Sequence, residues 1–227
     1  MPNAPRTARA RAREELTREI KDAAGRQLTE VGAAALSLRA VARELGMASS
    51  AVYRYFPSRD DLLTALIVDA YDAIGDAAEK AEAAVERKHH AQRWLAVATG
   101  ARTWAIAHPE EYALIFGSPV PGYRAPQDTI DPATRIPRLL LELLEDAAPT
   151  NAPAPASKPT HTDFGILRAL TAPSLTDEQL ARMLMAWTQL IGSISFELFG
   201  HLKNIVHDHE TYFRLQMSTI GSELGLA

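Results

Sequence analysis

The chain contains no cysteine, which excludes disulfide bonds, thiolate zinc sites and catalysis by a thiol, and which fits a cytoplasmic location. No apolar run approaches the roughly 18 to 20 residues that a membrane-spanning helix needs, so we expect no contact with a membrane. The basic N-terminal segment is followed by no apolar stretch, and the sequence therefore predicts no secretory signal.

Sequence motifs typical of catalytic, phosphate-binding and metal sites are also missing. The sequence has no Gly-rich phosphate loop, no nucleophile elbow and no His-Glu-x-x-His pattern. Histidines do cluster at His201, His207 and His209, and His89 precedes His90, but neither group has the spacing of a metal site. We therefore expect no metal, no cofactor and no catalysis, and a helical enzyme stays only as the alternative from another class.

Charge is distributed unevenly along the 227 residues, whose net charge is −4. Residues 1–60 hold eleven Lys and Arg against seven Asp and Glu, a net charge of +4, and the rest of the chain carries −8. This asymmetry indicates that one end of the protein faces phosphate groups, although chance produces similar patterns. Within the basic part, RTARARAR at 6–13 is either a flexible arm that follows DNA or a tail without a function.

Nearly every segment has the periodicity and composition of an α-helix, and Gly and Pro mark the breaks. Two segments are instead typical of loops: residues 117–132, with four prolines, and residues 148–160, rich in Pro and Ala. We expect caps at Ser37 and Ser58. The predicted helices cover residues 13–31, 38–45, 49–55, 58–77, 91–107, 136–145, 176–202 and 209–224, with Pro109 in the first turn of a further helix.

Two short helices joined by a glycine-containing turn stand in the basic part: SLRAVAREL at 37–45, GMA at 46–48 and SSAVYRY at 49–55. This is the helix-turn-helix pattern, whose second helix enters the major groove of DNA. The two helices can pack together through Leu38, Ala42, Leu45 and Val52, which leaves Ser, Tyr and Arg side chains on the outer side. A helical hairpin inside a core, the alternative, does not explain these polar side chains, so the pattern favours DNA binding.

The segment LRAVARELGMASSAVYRYFPSRDDLL, residues 38–63, resembles the TetR family of bacterial transcriptional regulators, and the match runs from about Glu19 to Tyr71. The resemblance implies that Val52 is an inward anchor, that Tyr53 faces the groove, and that Tyr55 and Arg59 contact phosphates. Ala48 departs from the pattern, because Ser or Thr usually caps the recognition helix there, and the cap then shifts to Ser49. Pattern and resemblance together give these DNA-contacting residues: Leu38, Arg39, Ser49, Ser50, Tyr53, Arg54, Tyr55 and Arg59.

The C-terminal part is similar to an actinobacterial-type branch of the same family, on the segments 102–126 and 186–202. That branch has a C-terminal domain named for a Trp-His-Gly pattern, but Ile191 stands here in place of His, so any role of that His toward a ligand is missing. A pocket between the helices would favour an amphipathic or aromatic ligand, although core packing is the alternative for each lining residue. The candidate lining residues are Trp104, Tyr112, Phe116, Tyr123, Met183 and Trp187.

The last two helices are apolar around much of their circumference, which requires burial on more than one side. The resemblance implies a homodimer in which these helices form a four-helix bundle. We expect Glu197 to pair with His201, four residues later, or with the second chain. The residues predicted at this interface are Gly192, Ser195, Glu197, Phe213, Met217 and Ile220.

These expectations describe an all-α protein. Residues 1–60 would form a basic arm and a three-helix helix-turn-helix domain, a helix at about 58–77 would connect it to the rest, and residues 78–227 would bind an effector and dimerise. The expected function is a sequence-specific regulator, a repressor that a small ligand releases from a palindromic operator in double-stranded DNA. A DNA-binding regulator without a small-molecule ligand is the alternative left open.

Overall fold

The computed structural model describes residues 8–147, 164–169 and 175–226, and these residues form α-helices and two 3-10 helices with no β-strand among them. The predicted all-α class is confirmed. The loop predicted at 148–160 lies outside the described residues. The α-helices are α1 (Ala8–Val31), α2 (Leu38–Glu44), α3 (Ser49–Val52), α4 (Arg59–Ala83), α5 (His90–Ala107), α6 (Pro109–Phe116), α7 (Ile130–Ala133), α8 (Arg135–Ala147), α9 (Gly165–Ala169), α10 (Asp177–Leu198) and α11 (His209–Glu223).

Local side-chain chemistry explains several helix ends. The Ser58 hydroxyl accepts a hydrogen bond from the Asp61 backbone N–H at 3.1 Å, which confirms the predicted cap of α4. Thr176 and Gln179 form a capping box at the start of α10. Ser37 occupies the predicted N-cap position of α2, but its hydroxyl makes no capping hydrogen bond, and its N–H donates to Gln27 Oε1 at 3.2 Å.

The helices pack into two compact units, which we call the head unit and the body unit. α4 contributes its first half to the head unit and its second half to the body unit. Residues 110–129, which the sequence prediction grouped with the C-terminal domain, pack with the head unit instead. The head unit holds the described residues up to Ala70 together with Glu110–Thr129, and the body unit holds Tyr71–Pro109 and the described residues from Ile130 onwards.

The head unit has an apolar core to which α1, α2, α3 and the first half of α4 contribute. Partly buried apolar side chains of α6 and of the loop after it, among them Leu114 and Tyr123, pack against this core. The buried residues of the core are Ile20, Ala23, Ala24, Leu28, Leu36, Leu38, Val41, Ala42, Val52, Phe56, Leu62, Leu63 and Leu66.

The body unit is built around α5, which packs against α8, α10 and α11. The Trp94 indole N–H donates to the Met217 carbonyl at 2.6 Å, and a Cβ at Gly221 would lie 2.9 Å from the Trp94 ring. A Cβ at Gly100 would lie 2.7 Å from the Ala77 carbonyl oxygen. Glycine at these two positions therefore permits α5 to approach α11 and α4 closely.

Candidate DNA-binding surface

The turn between α2 and α3 fixes the angle between these two helices. Gly46 has a φ of 66°, a left-handed conformation that glycine adopts without strain. The Met47 N–H reaches back to the Ala42 carbonyl at 2.8 Å, and the Gly46 N–H reaches the Arg43 carbonyl at 3.2 Å. This hydrogen-bond pattern is the Schellman motif, which ends α2 and directs the chain into α3.

The second helix of the motif is short. α3 covers Ser49–Val52, and hydrogen-bonded turns continue it to Phe56. Its N-cap position is Ala48, which has no side chain that can accept a hydrogen bond, so the expected shift of the cap to Ser49 is wrong. The helix ends early because Pro57 restricts the backbone of Phe56, whose side chain is buried in the head-unit core.

Burial separates an inner from an outer side of this segment. Val52 is 0% exposed and anchors α3 in the core, whereas Tyr53 is 41% exposed. Ser50 and Arg54 are also exposed, and Ser49 is half-buried. We call Ser49–Tyr55 the recognition segment. Its outer side presents hydroxyl and guanidinium groups, which hydrogen-bond to phosphate oxygens and to base edges in a DNA groove.

Two of the predicted DNA-contacting residues of α2 have different surroundings. Arg39 is exposed, as a phosphate contact requires. Leu38 is 4% exposed and packs in the head-unit core. The prediction that Leu38 contacts DNA is therefore corrected, because its apolar side chain packs between α2 and α1 and is not exposed to DNA.

Arg59, predicted to contact phosphate, has its guanidinium engaged inside the head unit. Its Nε donates to the Leu36 carbonyl at 3.2 Å, and its Nη2 donates to the carbonyls of Ala33 and Ala34 at 2.7 and 3.1 Å. These carbonyls lie in the 3-10 helix and its exit, which link α1 to α2. The Arg59 guanidinium therefore clamps the start of α4 to this link, and its predicted contact with phosphate stays a prediction.

The Arg-rich segment at the N-terminus is helical from Ala8 onwards, so residues 8–13 of the predicted flexible arm belong to α1. The Arg13 guanidinium lies over the Tyr55 ring, 5.3 Å from its centroid. This cation–π contact joins the first turns of α1 to the end of the recognition segment. No sequence pattern indicates this contact, because the two residues are far apart in the chain.

The residues predicted to line one ligand pocket fall in both units. Tyr112, Phe116 and Tyr123 belong to the head unit, where Tyr112 is fully buried and the Tyr123 hydroxyl lies 2.9 Å from Thr64 Oγ1. The other three lie in the body unit, where Trp104 stacks on His108 with 5.3 Å between the ring centroids and Met183 is 1% exposed. Trp187 is half-buried.

The predicted dimer-interface residues also differ in their surroundings. Phe213 and Met217 are buried within the body unit, and Ile220 is 6% exposed. Glu197 does not pair with His201 as expected. It accepts two hydrogen bonds from Arg102, at 2.8 Å from Nε and 2.7 Å from Nη2, and this carboxylate raises the pKa of Arg102 despite burial of the guanidinium.

Gly192 and Ser195, the other two predicted interface residues, are half-buried on α10. A Cβ at Gly192 would meet no atom within 4 Å. Gly192 therefore lies on a side of α10 that has open space beside it.

A charged cluster that sequence reasoning missed joins α8 to the second half of α4. Arg135 donates to Asp72 at 3.1 Å, to Asp76 at 2.5 Å and to Glu79 at 2.7 Å. These carboxylates, Glu79 first, raise the pKa of Arg135, which is therefore charged at any physiological pH. The three acidic residues are spaced four and three residues apart, so they lie on one face of α4. This spacing is the sequence pattern from which an acidic cluster could have been predicted.

Neither of two other kinds of site is found in the part of the chain that the structure describes. No group of three or more His, Asp or Glu side chains there is arranged to hold a metal ion. No helix among the described residues is both long and apolar enough to cross a membrane.

The packed turn, the inward Val52 and the exposed polar side of the recognition segment define a helix-turn-helix DNA-binding unit. The family model "Bacterial regulatory proteins, tetR family" matches residues 20–66, and "Tetracyclin repressor-like, C-terminal domain" matches residues 94–220. The chain thus belongs to the TetR family. It is a DNA-binding transcriptional regulator and not an enzyme.

Individual proteins agree with this assignment. The HTH-type transcriptional regulator Mb1846 of Mycobacterium bovis is 40% identical over 196 residues, which cover 83% of each chain. The solved regulatory protein SCO4313 is 32% identical with a TM-score of 0.76, over 96% of this chain and 98% of that one. RolR, solved in complex with the ligand resorcinol, shares the fold at 16% identity and a TM-score of 0.50, over 96% of each chain.

Proposed function

We propose that this regulator is a homodimeric repressor that binds a palindromic operator and leaves it when a small ligand binds the body unit. The observation that carries the proposal is a row of exposed apolar side chains on α10 and α11. We call it the apolar face, and it comprises Met185 and Phe196 of α10, Phe199 directly after α10, and Tyr212 and Leu215 of α11.

The apolar face follows one side of α10. Along α10 and its C-cap residue, the positions 185, 192, 196 and 199 follow at intervals of seven, four and three residues, which places them on one side of the helix. Phe196 is 54% exposed and Leu215 on α11 is 62% exposed. Contiguous apolar patches on a soluble protein mark interaction surfaces, because their exposure to water is unfavourable.

A groove of about 630 Å³ lies between α10 and α11 in this face, and Gly192, Phe196 and Leu215 are among its lining residues. A second copy of the chain fits such a surface, because a two-fold axis places equal apolar faces against each other. Two helices from each chain then form a four-helix bundle. The same axis gives two recognition segments for the two halves of a palindrome.

A cleft in the body unit supports the ligand-responsive part of the proposal. It has a volume of about 530 Å³, within the usual range for small-molecule sites. Its charged lining consists of four acidic residues, Asp72, Glu79, Asp131 and Glu142, and two basic ones, Arg135 and Arg138. This charged lining favours a polar ligand that carries a cationic group, in contrast to the aromatic ligand expected from the sequence.

A ligand in this cleft would compete with Arg135 for the carboxylates of α4. Because α4 also forms part of the head unit, a change in its position is a route by which the ligand alters DNA binding. The ligand acts only through a difference in its affinity for the two arrangements of the protein. RolR, a fold neighbour, is described with the ligand resorcinol, an aromatic compound, so aromatic ligands belong in the same screen.

One observation favours the alternative of a regulator without a small ligand. Tyr112 and Met183, two of the predicted lining residues, are 0% and 1% exposed and are packed in apolar cores. Side chains that fill a core leave no space for a ligand there. The experiment below separates the two functions.

The test begins with selection of DNA from a random pool by the purified protein. We expect two inverted half-sites whose centres lie about 10 to 10.5 base pairs, or a multiple of this, apart. Light scattering on the complex should give an even number of chains per duplex. An enriched sequence without two-fold symmetry, bound by one chain, would contradict the homodimer.

The selected duplex is then titrated with amines, amino acids and phenols. A compound that lowers the affinity for the duplex at least tenfold supports the ligand-responsive repressor. The variant Arg138→Gln, altered in the lining of the cleft, should change the dose of a compound that binds there. The variant Arg214→Gln, an exposed residue of α11, is the control. Should no compound act, the regulator without a ligand is supported.

A further inference from the structure

We infer that the cleft of the body unit takes a small molecule with one anionic and two cationic groups, which is the charge pattern of a basic α-amino acid. This inference rests on the proposed ligand-responsive function and deepens it. It adds an anionic group to the cationic ligand proposed above, and it assigns the Arg138 guanidinium to that group.

One part of the charged lining is already paired within the protein. Arg135 donates to Asp72 Oδ1 at 3.1 Å, and to Glu79 at 2.9 Å from Nε and 2.7 Å from Nη2. Charge-assisted hydrogen bonds of this kind satisfy both the guanidinium and the carboxylates. The charge pattern that a ligand meets first is therefore set by the other charged side chains of the cleft.

Arg138 is the basic side chain of the cleft that remains available. It is half-buried, and no acidic side chain in the described part of the chain forms an ion pair with it. Its Nη2 donates to the Thr134 hydroxyl at a long distance of 3.4 Å. One neutral hydroxyl uses only one of the five N–H donors of a guanidinium, and the planar fork of these donors matches a carboxylate. Arg138 therefore suits an anionic group of a ligand.

Two acidic side chains of the cleft are available as well. Asp131 and Glu142 are exposed, and neither forms an ion pair with any of the described residues. Glu142 follows Arg138 by four residues, and this order is less favourable for an ion pair on a helix than the reverse order. The cleft thus offers two carboxylates to the cationic groups of a ligand.

The spacing of these side chains fits an amino acid. Arg138 and Glu142 lie on one side of α8, and side chains four residues apart have Cβ atoms about 5 to 6 Å apart. The carboxylate and the ammonium of an α-amino acid are separated by a single carbon atom, so together they bridge such a pair. A second cationic group at the end of a short side chain is then left for Asp131. The cleft volume of about 530 Å³ is sufficient for a molecule of this size.

Such a ligand also weakens the contact between Arg135 and α4. Asp131 and Arg135 line the same cleft, so a cation bound to Asp131 repels the Arg135 guanidinium. This repulsion opposes the hydrogen bonds from Arg135 to Asp72 and Glu79 of α4. The charge pattern of the ligand thereby supplies the competition on which the proposed release from DNA depends.

The test measures binding to the full-length protein by calorimetry without DNA, so that the result does not depend on an operator. Three basic amino acids are each compared with the amine that lacks only the carboxylate: ornithine with putrescine, lysine with cadaverine, and arginine with agmatine. We expect at least one amino acid to bind about tenfold or more tightly than its amine, because the amine lacks the charge-assisted hydrogen bonds to Arg138. Norvaline, which lacks the terminal amino group of ornithine, should bind more weakly than ornithine.

Variants of the cleft locate the two kinds of contact. In Arg138→Gln, the amino acid and its amine should bind with about equal affinity, whereas Arg138→Lys keeps the charge and should retain part of the preference. Glu142→Gln should weaken the amino acid and the amine alike, because both use this carboxylate. Arg214→Gln, altered at an exposed residue of α11, is the matched control and should keep the full preference. Circular dichroism shows whether each variant is folded.

Equal affinity of the wild type for the amino acids and their amines would overturn the inference, as would a preference that persists in Arg138→Gln. Absence of binding by every probe would overturn it as well. Failure of the proposed function looks different. An amino acid that binds the free protein through Arg138, but leaves the affinity for the selected operator unchanged, supports the ligand site and contradicts the ligand-responsive repressor.

Discussion

Replacement of Arg59 by Met tests whether this residue is a clamp within the head unit. The substitution keeps the aliphatic stem but removes three hydrogen bonds, to the carbonyls of Leu36, Ala33 and Ala34. These carbonyls hold the link between α1 and α2, on which the position of the recognition segment depends. We therefore expect a local loss of stability at this link and at α2.

The size of the effect follows from the geometry of the clamp. A hydrogen bond to a charged group contributes about 1.5 to 3 kcal/mol when it is sheltered from water. The Arg59 side chain is 29% exposed, and its hydrogen bond to the Ala34 carbonyl is exposed. Solvent therefore reduces the summed contribution of the three hydrogen bonds to stability. We expect Arg59→Met to lower the unfolding free energy of the head unit by about 2 to 3 kcal/mol.

Hydrogen exchange of the amides in residues 33–45 measures this local free energy directly. The variant Arg59→Lys is the control, because it keeps the charge but cannot present the planar fork, and it should lose an intermediate amount. The salt dependence of DNA affinity should stay close to that of the wild type. Unchanged exchange in Arg59→Met, combined with a salt slope reduced by about 0.9, would refute the clamp and restore the phosphate contact that the family resemblance implies.

Two further predictions concern the body unit. Phe196→Asp places a charge in the apolar face and should convert the proposed dimer to a monomer in sedimentation experiments, with a helicity unchanged by circular dichroism. A dimer of unaltered affinity would place the interface elsewhere. For Asp146, burial raises the pKa, but hydrogen bonds from Arg93 and Arg87 lower it overall, below its ordinary value of 3.8. The unfolded state then binds the proton more readily, so the contribution of Asp146 to stability is present above this value and is lost as the pH falls through the lower folded pKa. Asp146→Asn should therefore flatten the decrease in the unfolding free energy below about pH 4, and an equally steep decrease in this variant would contradict the assignment.

The helices could be predicted well from the sequence because their signals are local. Apolar side chains at helical spacing, Gly46 with its left-handed φ, and the Ser58 cap act over a few residues. The structure keeps these features at or close to the predicted positions. The family resemblance added the identity of the recognition segment, which periodicity alone does not supply.

The predicted and observed side-chain contacts differ where the residue that is contacted is distant in the chain. The guanidinium of Arg59 binds backbone carbonyls 23 to 26 residues away, and no side-chain pattern indicates such acceptors. Glu197 binds Arg102, 95 residues earlier, and not the nearby His201. Met217 lies on a helix that the sequence predicts to be apolar around much of its surface, so the sequence did not determine which side is buried. Leu38 belongs to the apolar side of α2 together with Val41 and Ala42, and its assignment to DNA came with the family resemblance.

The central claim is that the outer side of the recognition segment determines which DNA sequence the protein binds. The most direct measurement is the affinity of wild type and Tyr53→Ala for the selected operator and for a scrambled duplex, at one salt concentration. Loss of a base contact costs about 1 to 3 kcal/mol, so the account predicts a roughly 5- to 150-fold weaker operator complex and less than about a twofold change on the scrambled duplex. Equal loss on both duplexes would contradict it.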